Sequence, residues 1–163
     1  MARLIMPGMR VSRIIPSLVL AVAVGLIPGT PLSAQEAADL PALLGLTLAQ
    51  AYEQLGPPAE VYVLRGTEPE QDDVVFYYAS HLYLFWFRNR VWQVRTDRRF
   101  SGQVFSLSMG VSRRQVIETL GRPILEFEDS LVFHLEDRGY PVQARLYFED
   151  GALSDVYCFR GDL

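Results

Sequence analysis

A fourteen-residue motif occurs twice in this chain, and it constrains the fold more than any other feature of the sequence. It spans residues 45–58 and recurs 65 residues later, at residues 110–123. The two copies share two glycines, a hydroxyl residue, a glutamine, a leucine and a final proline at identical offsets. A motif that recurs in this way indicates that one unit of structure is built twice. We therefore predict a tandem repeat.

Each copy of the motif carries the signals for both ends of a short helix. In the first copy, Thr47 is the predicted N-cap and Gln50 completes a capping box, while Gly56 takes the position that ends the helix. The corresponding residues of the second copy are Ser112, Gln115 and Gly121. A helix of about nine residues is marginal alone, so each must pack against other structure.

Apolar or alternating segments follow each helix and predict antiparallel strands. The predicted strands are residues 61–64, 73–79, 82–88 and 91–96, then 124–128, 131–135, 142–148 and 152–159. Two-residue hairpin turns are predicted at Asn89-Arg90 and at Asp150-Gly151, the second being the stronger signal. The predicted fold class is α+β: a tandem repeat of a short helix plus antiparallel strands, with the helices packed on one face of a curved antiparallel sheet.

The first 34 residues have the pattern of a secretory signal peptide. Three arginines precede a largely apolar stretch at residues 14–27, and small residues lead to Ala34. The apolar stretch is shorter than the roughly 20 residues that span a membrane. We predict cleavage after Ala34; a retained N-terminal anchor is the alternative.

Residues 35–163 are predicted to form one domain made of two repeats. The first repeat covers residues 41–103 and the second residues 104–163. A short leader at residues 35–44 is expected to include a brief helix.

Charge and cysteine content exclude several classes of function. All 15 basic residues are arginine, and removal of residues 1–34 leaves 12 against 19 acids, a net charge of −7 that disfavours nucleic acid. The absence of lysine excludes a Schiff base or a P-loop. Cys158 is the one cysteine and is expected to be a buried small hydrophobe. No cysteine lies near residue 34, which excludes attachment of a lipid to a new N-terminal cysteine.

Alternation along the strands predicts which side chains face the helices. In the second repeat the predicted core set is Leu131, Phe133, Leu135, Val142, Ala144, Leu146 and Phe148. Transfer of this pattern to the first repeat predicts core positions at Val74, Phe76, Tyr78, Tyr83, Phe85 and Phe87.

The opposite face of the predicted sheet is rich in tyrosine, tryptophan and arginine, the residue types that dominate binding hot spots. It is expected to carry Tyr77, Leu82, Leu84, Trp86, Arg88, Gln93, Arg95, His134, Gln143, Arg145 and Tyr147, with Tyr157 or Asp155. From this face we predict a partner-binding set of Tyr77, Leu84, Trp86, Arg88, Arg95, Arg145, Tyr147 and Tyr157. The alternative is that the leader or a second copy of the chain covers this face.

The glycine–hydroxyl–glutamine helix motif, followed by leucine, glycine and proline, resembles the signature of the SmpA/OmlA (BamE-like) envelope proteins. The tandem arrangement is similar to the β-lactamase inhibitory protein fold. The resemblance implies an exported, non-enzymatic protein that works through its sheet surface. It covers most of residues 41–160, and its specific part is about fourteen residues in each copy. The chain departs from the assembly lipoproteins of that family because it lacks a lipid-acceptor cysteine and carries two units.

Enzyme, metal and cofactor sites have no recognisable pattern. His81 and His134 lack metal-ligand partners at a known spacing, and no Gly-x-Ser-x-Gly or Cys/His nucleophile motif occurs. The acidic stretch at residues 68–73 lacks the spacing of a calcium loop and is interpreted as a solvated loop. A pair of carboxylates for glycoside hydrolysis stays open, because its geometry cannot be read from sequence. We predict no catalytic residues, no metal and no cofactor.

These observations favour an exported binding module of the cell envelope, periplasmic or secreted, that holds an envelope or secreted protein through its open sheet face. A structural or lipid-associated component of the envelope is the alternative, in which Leu82, Leu84 and Trp86 contact acyl chains or an outer-membrane barrel protein. A small-ligand carrier is a third hypothesis. No nucleic-acid partner is expected.

Overall fold

A computed structural model describes residues 38–67 and 72–163 of the chain. The predicted signal peptide, residues 1–34, lies outside the described residues. Within them, the chain forms three short helices: α1 (Leu40–Leu43), α2 (Leu48–Leu55) and α3 (Arg113–Leu120). None of the helices in these ranges is long and apolar enough to cross a membrane. The brief helix expected within residues 35–44 is confirmed as α1.

The helix ends are those that the motif predicts. The Gln50 backbone N–H donates to Thr47 Oγ1 at 3.3 Å, and the Thr47 N–H donates to Gln50 Oε1 at 2.9 Å. The same two bonds join Ser112 and Gln115. Gly56 and Gly121 follow α2 and α3 with φ of 73° and 82°, a region that favours glycine. Both capping boxes and both helix ends are confirmed.

Ten strands are assigned within the described residues. They are β1 (Glu60–Leu64), β2 (Asp73–Tyr78), β3 (Leu82–Phe87), β4 (Arg90–Thr96), β5 (Gln103–Val104), β6 (Leu107–Ser108), β7 (Leu125–Glu126), β8 (Ser130–Leu135), β9 (Val142–Glu149) and β10 (Ala152–Arg160). Eight of them form one antiparallel sheet in the order β1-β2-β3-β4-β10-β9-β8-β7. The fold is therefore α+β with an open antiparallel sheet, as predicted. The β5–β6 hairpin was not predicted from the sequence.

The chain enters α2 and α3 from similar anchors on the sheet. The Gly45 N–H donates to the Val91 carbonyl at 2.7 Å, and the Val91 N–H donates to the Leu46 carbonyl at 3.0 Å. Before α3, the corresponding bonds join Gly110, Leu153 and Val111, both at 2.8 Å. These bonds attach α2 to β4 and α3 to β10, and β4 and β10 are neighbours at the centre of the sheet.

All three helices pack on one face of the sheet, which we call the helix face. The core between helices and sheet includes all seven residues predicted from the second half of the chain, so that prediction is confirmed. Cys158 is also buried there, as expected, and burial together with nearby Asp39 raises the pKa of its thiol to about 12. We call the opposite surface of the sheet the outer face.

In the first half, the assignment of β3 side chains to faces is wrong. Leu82, Leu84 and Trp86 lie in the core on the helix face, and Tyr83 and Phe85 lie on the outer face. Val74 and Phe87, which were also predicted in the core, are exposed. The assignments of Phe76 and Tyr78 to the core are confirmed.

The reason for the error is the position of one turn. The β3–β4 hairpin turns at Arg88-Asn89, with φ of 46° and 61°, and Phe87 pairs with Arg90. The prediction had placed this turn one residue later, at Asn89-Arg90. The faces of β3 were transferred from the second half by aligning the two turns, so a shift of one residue moves every side chain of β3 to the other face. The register shift between Phe85 and Trp86 then pairs Tyr83 with Arg95, so that both lie on the outer face.

Candidate functional site

Five side chains form a row across the outer face, one from each of five adjacent strands. They are Tyr77, Tyr83, Arg95, Tyr157 and Arg145, and each is paired in register with the next. We call this set the Tyr–Arg row. The ring centroids of Tyr77 and Tyr83 are 5.0 Å apart, and the Arg95 guanidinium lies 4.9 Å from the Tyr83 ring and 5.5 Å from the Tyr157 ring. Stacking of arginine on an aromatic face is attractive because the ring face is electron-rich.

The row continues towards β7 through two further aromatic rings. The Tyr147 ring meets that of Tyr157 edge-on, with centroids 5.5 Å apart. The guanidinium of Arg145 lies 4.7 Å from the ring of Tyr147 and also 4.7 Å from that of Phe127. Arg145 donates two hydrogen bonds of 3.1 Å to the hydroxyl of Ser130, which is buried. These contacts fix the position of Arg145 above the sheet.

Arg95 is held at the centre of the row by Asp155. Its Nε and one terminal nitrogen donate to the same carboxylate oxygen, at 2.9 and 2.5 Å. Burial alone would lower the pKa of Arg95, but the hydrogen bond and the charge of Asp155 raise it above its usual value. Arg95 lies on β4 and Asp155 on β10, so this pair joins the two halves of the chain on the outer face.

A second polar contact lies beside Tyr83. The Tyr83 hydroxyl donates to Asp97 Oδ2 at 2.7 Å, and the Arg99 backbone N–H donates to Asp97 Oδ1 at 2.8 Å. Burial would raise the pKa of Asp97, but these hydrogen bonds lower it to about 2. Burial and the bond to Asp97 raise the pKa of Tyr83 to about 12. His81 Nδ1 lies 3.4 Å from the same carboxylate.

Three hollows of about 430, 320 and 280 Å³ adjoin one another along the row. The first two share Tyr83 and Arg99, and the second and third share Arg95 and Asp155. The remaining lining residues are Glu60, Tyr62, Tyr77, Asp97, Arg98, Asp129, Tyr147, Phe148, Glu149, Ser154 and Tyr157. The result is a groove across the outer face in which tyrosine, arginine and carboxylate side chains alternate.

The structure brings together five of the eight residues predicted to bind a partner: Tyr77, Arg95, Arg145, Tyr147 and Tyr157. Leu84 and Trp86 do not lie on the outer face; they are buried in the core, with 0% and 7% of their surface exposed. Arg88 lies in the β3–β4 turn and stacks on Phe87 at the tip of the hairpin.

Several residues of this surface were missed by the sequence analysis. Tyr83 was assigned to the core because of the misplaced turn, Asp97 lies just outside the strand predicted at residues 91–96, and Phe127 lies in the strand predicted at residues 124–128 but was assigned to neither face. The signal that identifies Tyr83 is the length of the β2–β3 loop. Three residues separate Tyr78 from its partner Leu82, and the last of them, His81, has a φ of 64°. A three-residue loop that ends in such a residue keeps Tyr78 and Leu82 on one face and so turns Tyr83 outwards.

The apolar patch on which the lipid hypothesis depended is not on the surface, because Leu82, Leu84 and Trp86 are buried in the core. Of the acidic stretch at residues 68–73, the described part includes Asp72, which forms an ion pair with Arg65 and accepts a hydrogen bond from the Gly66 N–H. Among the described residues, no group of three or more His, Cys, Asp or Glu side chains could hold a metal ion.

No protein-family model matches this chain, and no curated protein matches its sequence. A similar solved structure is the 1.5 Å crystal structure of an extracellular protein containing an SCP domain from Bacillus anthracis str. Ames. It has a TM-score of 0.49 and 12% sequence identity, and the match covers 82% of this chain and 49% of that one. The chain thus spans about half the length of that protein, and nothing about activity follows from a match at this level.

The predicted membership of the SmpA/OmlA family, and with it the similarity to the β-lactamase inhibitory protein, is wrong. No family model matches the chain, so nothing found for it supports that membership. The motif that carried the resemblance consists of a capping box and a glycine at the end of a helix. These are local solutions for the unpaired backbone groups of any short helix, so they are not specific to one family.

Proposed function

We propose that this chain is an exported, non-enzymatic binding module that holds an envelope or secreted protein on its outer face. The observation that carries this proposal is the Tyr–Arg row. Tyrosine and arginine dominate the energetics of protein interfaces, because they present a large contact area together with polar groups. Here they are adjacent in register across the centre of the sheet.

The rigidity of the row supports the proposal. Arg95 is fixed by Asp155 and Arg145 by Ser130, while each guanidinium also stacks on tyrosine. Side chains that are already ordered lose little conformational entropy when a partner binds, and that raises affinity.

The groove favours a polypeptide partner over a small molecule. Sites for small ligands are concave and mostly apolar. The three hollows along the row are lined largely by charged and phenolic side chains. A protein surface that presents carboxylates to Arg95 and Arg145, and amide or guanidinium groups to Asp129 and Glu149, matches this pattern of charge.

The absence of catalysis is part of the proposal. A general acid or base works best when its pKa lies near the working pH. The pKa values of Tyr83 and Asp97, about 12 and about 2, lie far from neutrality, as does that of Cys158. We interpret the Tyr83–Asp97 pair as a structural contact that holds the row in place.

We also propose that the two halves are copies of one ancestral unit. The matching capping boxes and the matching anchors on β4 and β10 support this interpretation. If the halves are copies, the partner surface lies where they meet, because Arg95 and Tyr157 belong to the two central strands.

Site-specific photo-crosslinking in the cells that produce the protein tests the proposed function. A benzophenone amino acid at Tyr147 is expected to give an adduct with one other protein, and the same probe at the exposed Glu118 of α3 is the control. The substitution Tyr157→Ala, which removes the ring beside Tyr147, should reduce the adduct. Equal adducts from both positions, or an adduct of the chain only with itself, would contradict the proposal.

A further inference from the structure

The two edges of the eight-stranded sheet differ in how much backbone they expose. At one edge, β1 has five residues, and within the described residues it pairs with β2 on one side only. All five are exposed, including Val61 at 56% and Leu64 at 52%. At the other edge, β7 has two residues. Every second residue of an edge strand points its N–H and C=O away from the sheet, so β1 offers a longer unpaired edge than β7.

The β7 edge also carries one protecting contact that corresponds to nothing at β1. Near β7, the Arg113 guanidinium donates to the Phe127 and Glu128 carbonyls at 2.8 and 3.1 Å, whereas a proline lies two residues before each edge strand, Pro58 before β1 and Pro123 before β7. Natural edge strands are protected by such short lengths, charges and prolines. In β1 the one charged residue is Glu60 at its start, residues Val61 to Leu64 are apolar or aromatic, and the register with β2 has no bulge.

We propose that this chain forms a two-fold dimer in which β1 pairs antiparallel with β1 of a second copy. The unpaired backbone N–H and C=O groups of an edge of this length can hydrogen-bond to another extended strand. An antiparallel second copy of β1 presents the matching groups. When the two-fold axis is perpendicular to the sheet, the helix faces of both copies lie on the same side of it. Each residue of β1 must then pair with a residue whose side chain points to the same face. That condition allows registers centred on Val61, Tyr62 or Val63.

The register centred on Tyr62 satisfies β1 best. It pairs all five residues: Tyr62 with Tyr62 of the second copy, Val61 with Val63, and Glu60 with Leu64. The other two registers leave two of the five residues unpaired. In the Tyr62 register, Val61 of each copy lies opposite Val63 of the other on the helix face, which gives two valine pairs in the dimer. The two Glu60 carboxylates lie at opposite ends of the paired strands.

The surface beside β1 supports a second copy as the occupant. Phe76 is the cross-strand partner of Val61 and lies against Tyr52 of α2, whose ring centroid is 6.2 Å away. Tyr52 and Leu48 remain exposed on α2. In α3, the position that corresponds to Leu48 is Arg113, which binds the loop after β7. Apolar side chains are exposed at both edges, including Ile124, Leu125 and Phe127 near β7, but only beside β1 does the neighbouring helix add exposed apolar side chains, those of Leu48 and Tyr52.

This arrangement would place the two outer faces on the same side of a continuous sheet of sixteen strands. Two Tyr–Arg rows would then face one direction, and a partner with two binding segments could engage both, which raises overall affinity. The dimer does not depend on the proposed function, because none of the five residues of the Tyr–Arg row forms it; Glu60 and Tyr62 of β1, however, also line the first hollow of the groove.

Cysteine substitution tests the dimer and its register together. Tyr62→Cys should give a disulfide-linked dimer under mild oxidation, because residues directly opposite in an antiparallel pair lie close enough for that bond. Leu64→Cys is the matched control: it is exposed on the same face, but in this register the two copies of residue 64 are about 13 Å apart along the strand. Cys158 is buried and does not interfere.

Sedimentation of the unmodified chain and of edge variants gives an independent measurement. The chain should show a monomer–dimer equilibrium in a dilution series, and Val63→Lys should weaken it by roughly tenfold, since two valine contacts are lost in each dimer. Leu125→Lys at the β7 edge should leave it unchanged, and thermal unfolding of each variant checks that the fold is intact. A monomer at every concentration, a disulfide from Leu64→Cys as complete as that from Tyr62→Cys, or a dimer unaffected by Val63→Lys would overturn the proposal.

Discussion

The two halves of the molecule share a framework and differ at their surfaces. Both have an eight-residue helix with a capping box, and both join that helix to a central strand by two backbone hydrogen bonds. They differ at the sheet edges, where β1 is long and exposed and β7 is short and bound by Arg113. They differ also on the outer face, where the buried Tyr83–Asp97 contact belongs to the first half.

This comparison separates two kinds of residue. Those that recur satisfy backbone groups that every short helix leaves unpaired, so they specify the framework. Those that differ lie at an edge or on the outer face, where the two halves meet different surroundings. The differences, more than the shared motif, indicate where the protein makes contacts.

The largest expected effect is the loss of stability when a buried leucine of either half is truncated, and it tests whether the two halves share one core. Leu84→Ala in the first half and Leu146→Ala in the second should each lower the free energy of unfolding by about 2–5 kcal/mol, because both side chains are fully buried. Urea unfolding measures this, with Leu125→Ala at an exposed position as the control. A negligible effect of Leu84→Ala would restore the outer-face position that the sequence predicted.

The next largest effect is a dependence of stability on pH that arises from Asp97 in the first half. The pKa of Asp97 in the folded protein is about 2, below its usual 3.8, so its carboxylate contributes about 2 kcal/mol to stability at neutral pH. Because the folded pKa is depressed, this contribution is complete above about pH 4 and is lost as the pH falls towards 2.

Asp97→Asn should therefore be less stable than the unmodified chain at pH 7, with the difference closing at pH 2. Tyr83→Phe, which removes one hydrogen bond to the carboxylate, should show part of the same effect. Denaturant unfolding across this pH range is the measurement. If the difference in free energy of unfolding between Asp97→Asn and the unmodified chain is the same at every pH, the carboxylate charge is not what stabilises the first half.

A smaller effect compares corresponding positions of the two helices. Arg113→Ala removes the hydrogen bonds to the Phe127 and Glu128 carbonyls and should lower the free energy of unfolding by about 1–2 kcal/mol. Leu48→Ala changes an exposed side chain and should lower it by less than about 0.5 kcal/mol. Equal effects would mean that the two edges are held in the same way.

The smallest effect tests the shared framework. Thr47→Ala and Ser112→Ala each remove a capping hydroxyl and should each lower the free energy of unfolding by about 1 kcal/mol. Thermal unfolding of the two variants, and of their double variant, measures it. A loss confined to one of them would show that the two helices are not equivalent.

The helices were predictable from the sequence because capping is local: the donor, the acceptor and the closing glycine lie within about ten residues. The faces of the second half were predictable because Asp150-Gly151 is a strong turn signal, and it forms the turn with φ of 53° and 80°. The β3–β4 turn has no glycine. As turn signals, Arg88-Asn89 and Asn89-Arg90 are almost equivalent. The choice between them decided the face to which every residue of β3 was assigned.

The candidate site could be predicted only in part, because it depends on contacts between distant residues. Arg95 and Asp155 are 60 positions apart, and they meet because β4 pairs with β10. Nothing in the sequence pattern specifies that pairing. Alternation placed Tyr77, Arg95 and Tyr157 on one face correctly, but their assembly into a single row follows from the order of the strands.

Hydroxyl-radical footprinting in intact producing cells and on the purified protein tests the central claim most directly. Tyr147 and Tyr157 of the outer face are expected to be less oxidised in the cell than in the purified protein, because a partner covers them there. Tyr140 is a similarly half-buried tyrosine that packs against the helix-face core, and it should react equally in both. If Tyr147 and Tyr157, like Tyr140, are each oxidised to the same extent in the cell as in the purified protein, the outer face does not bind a partner.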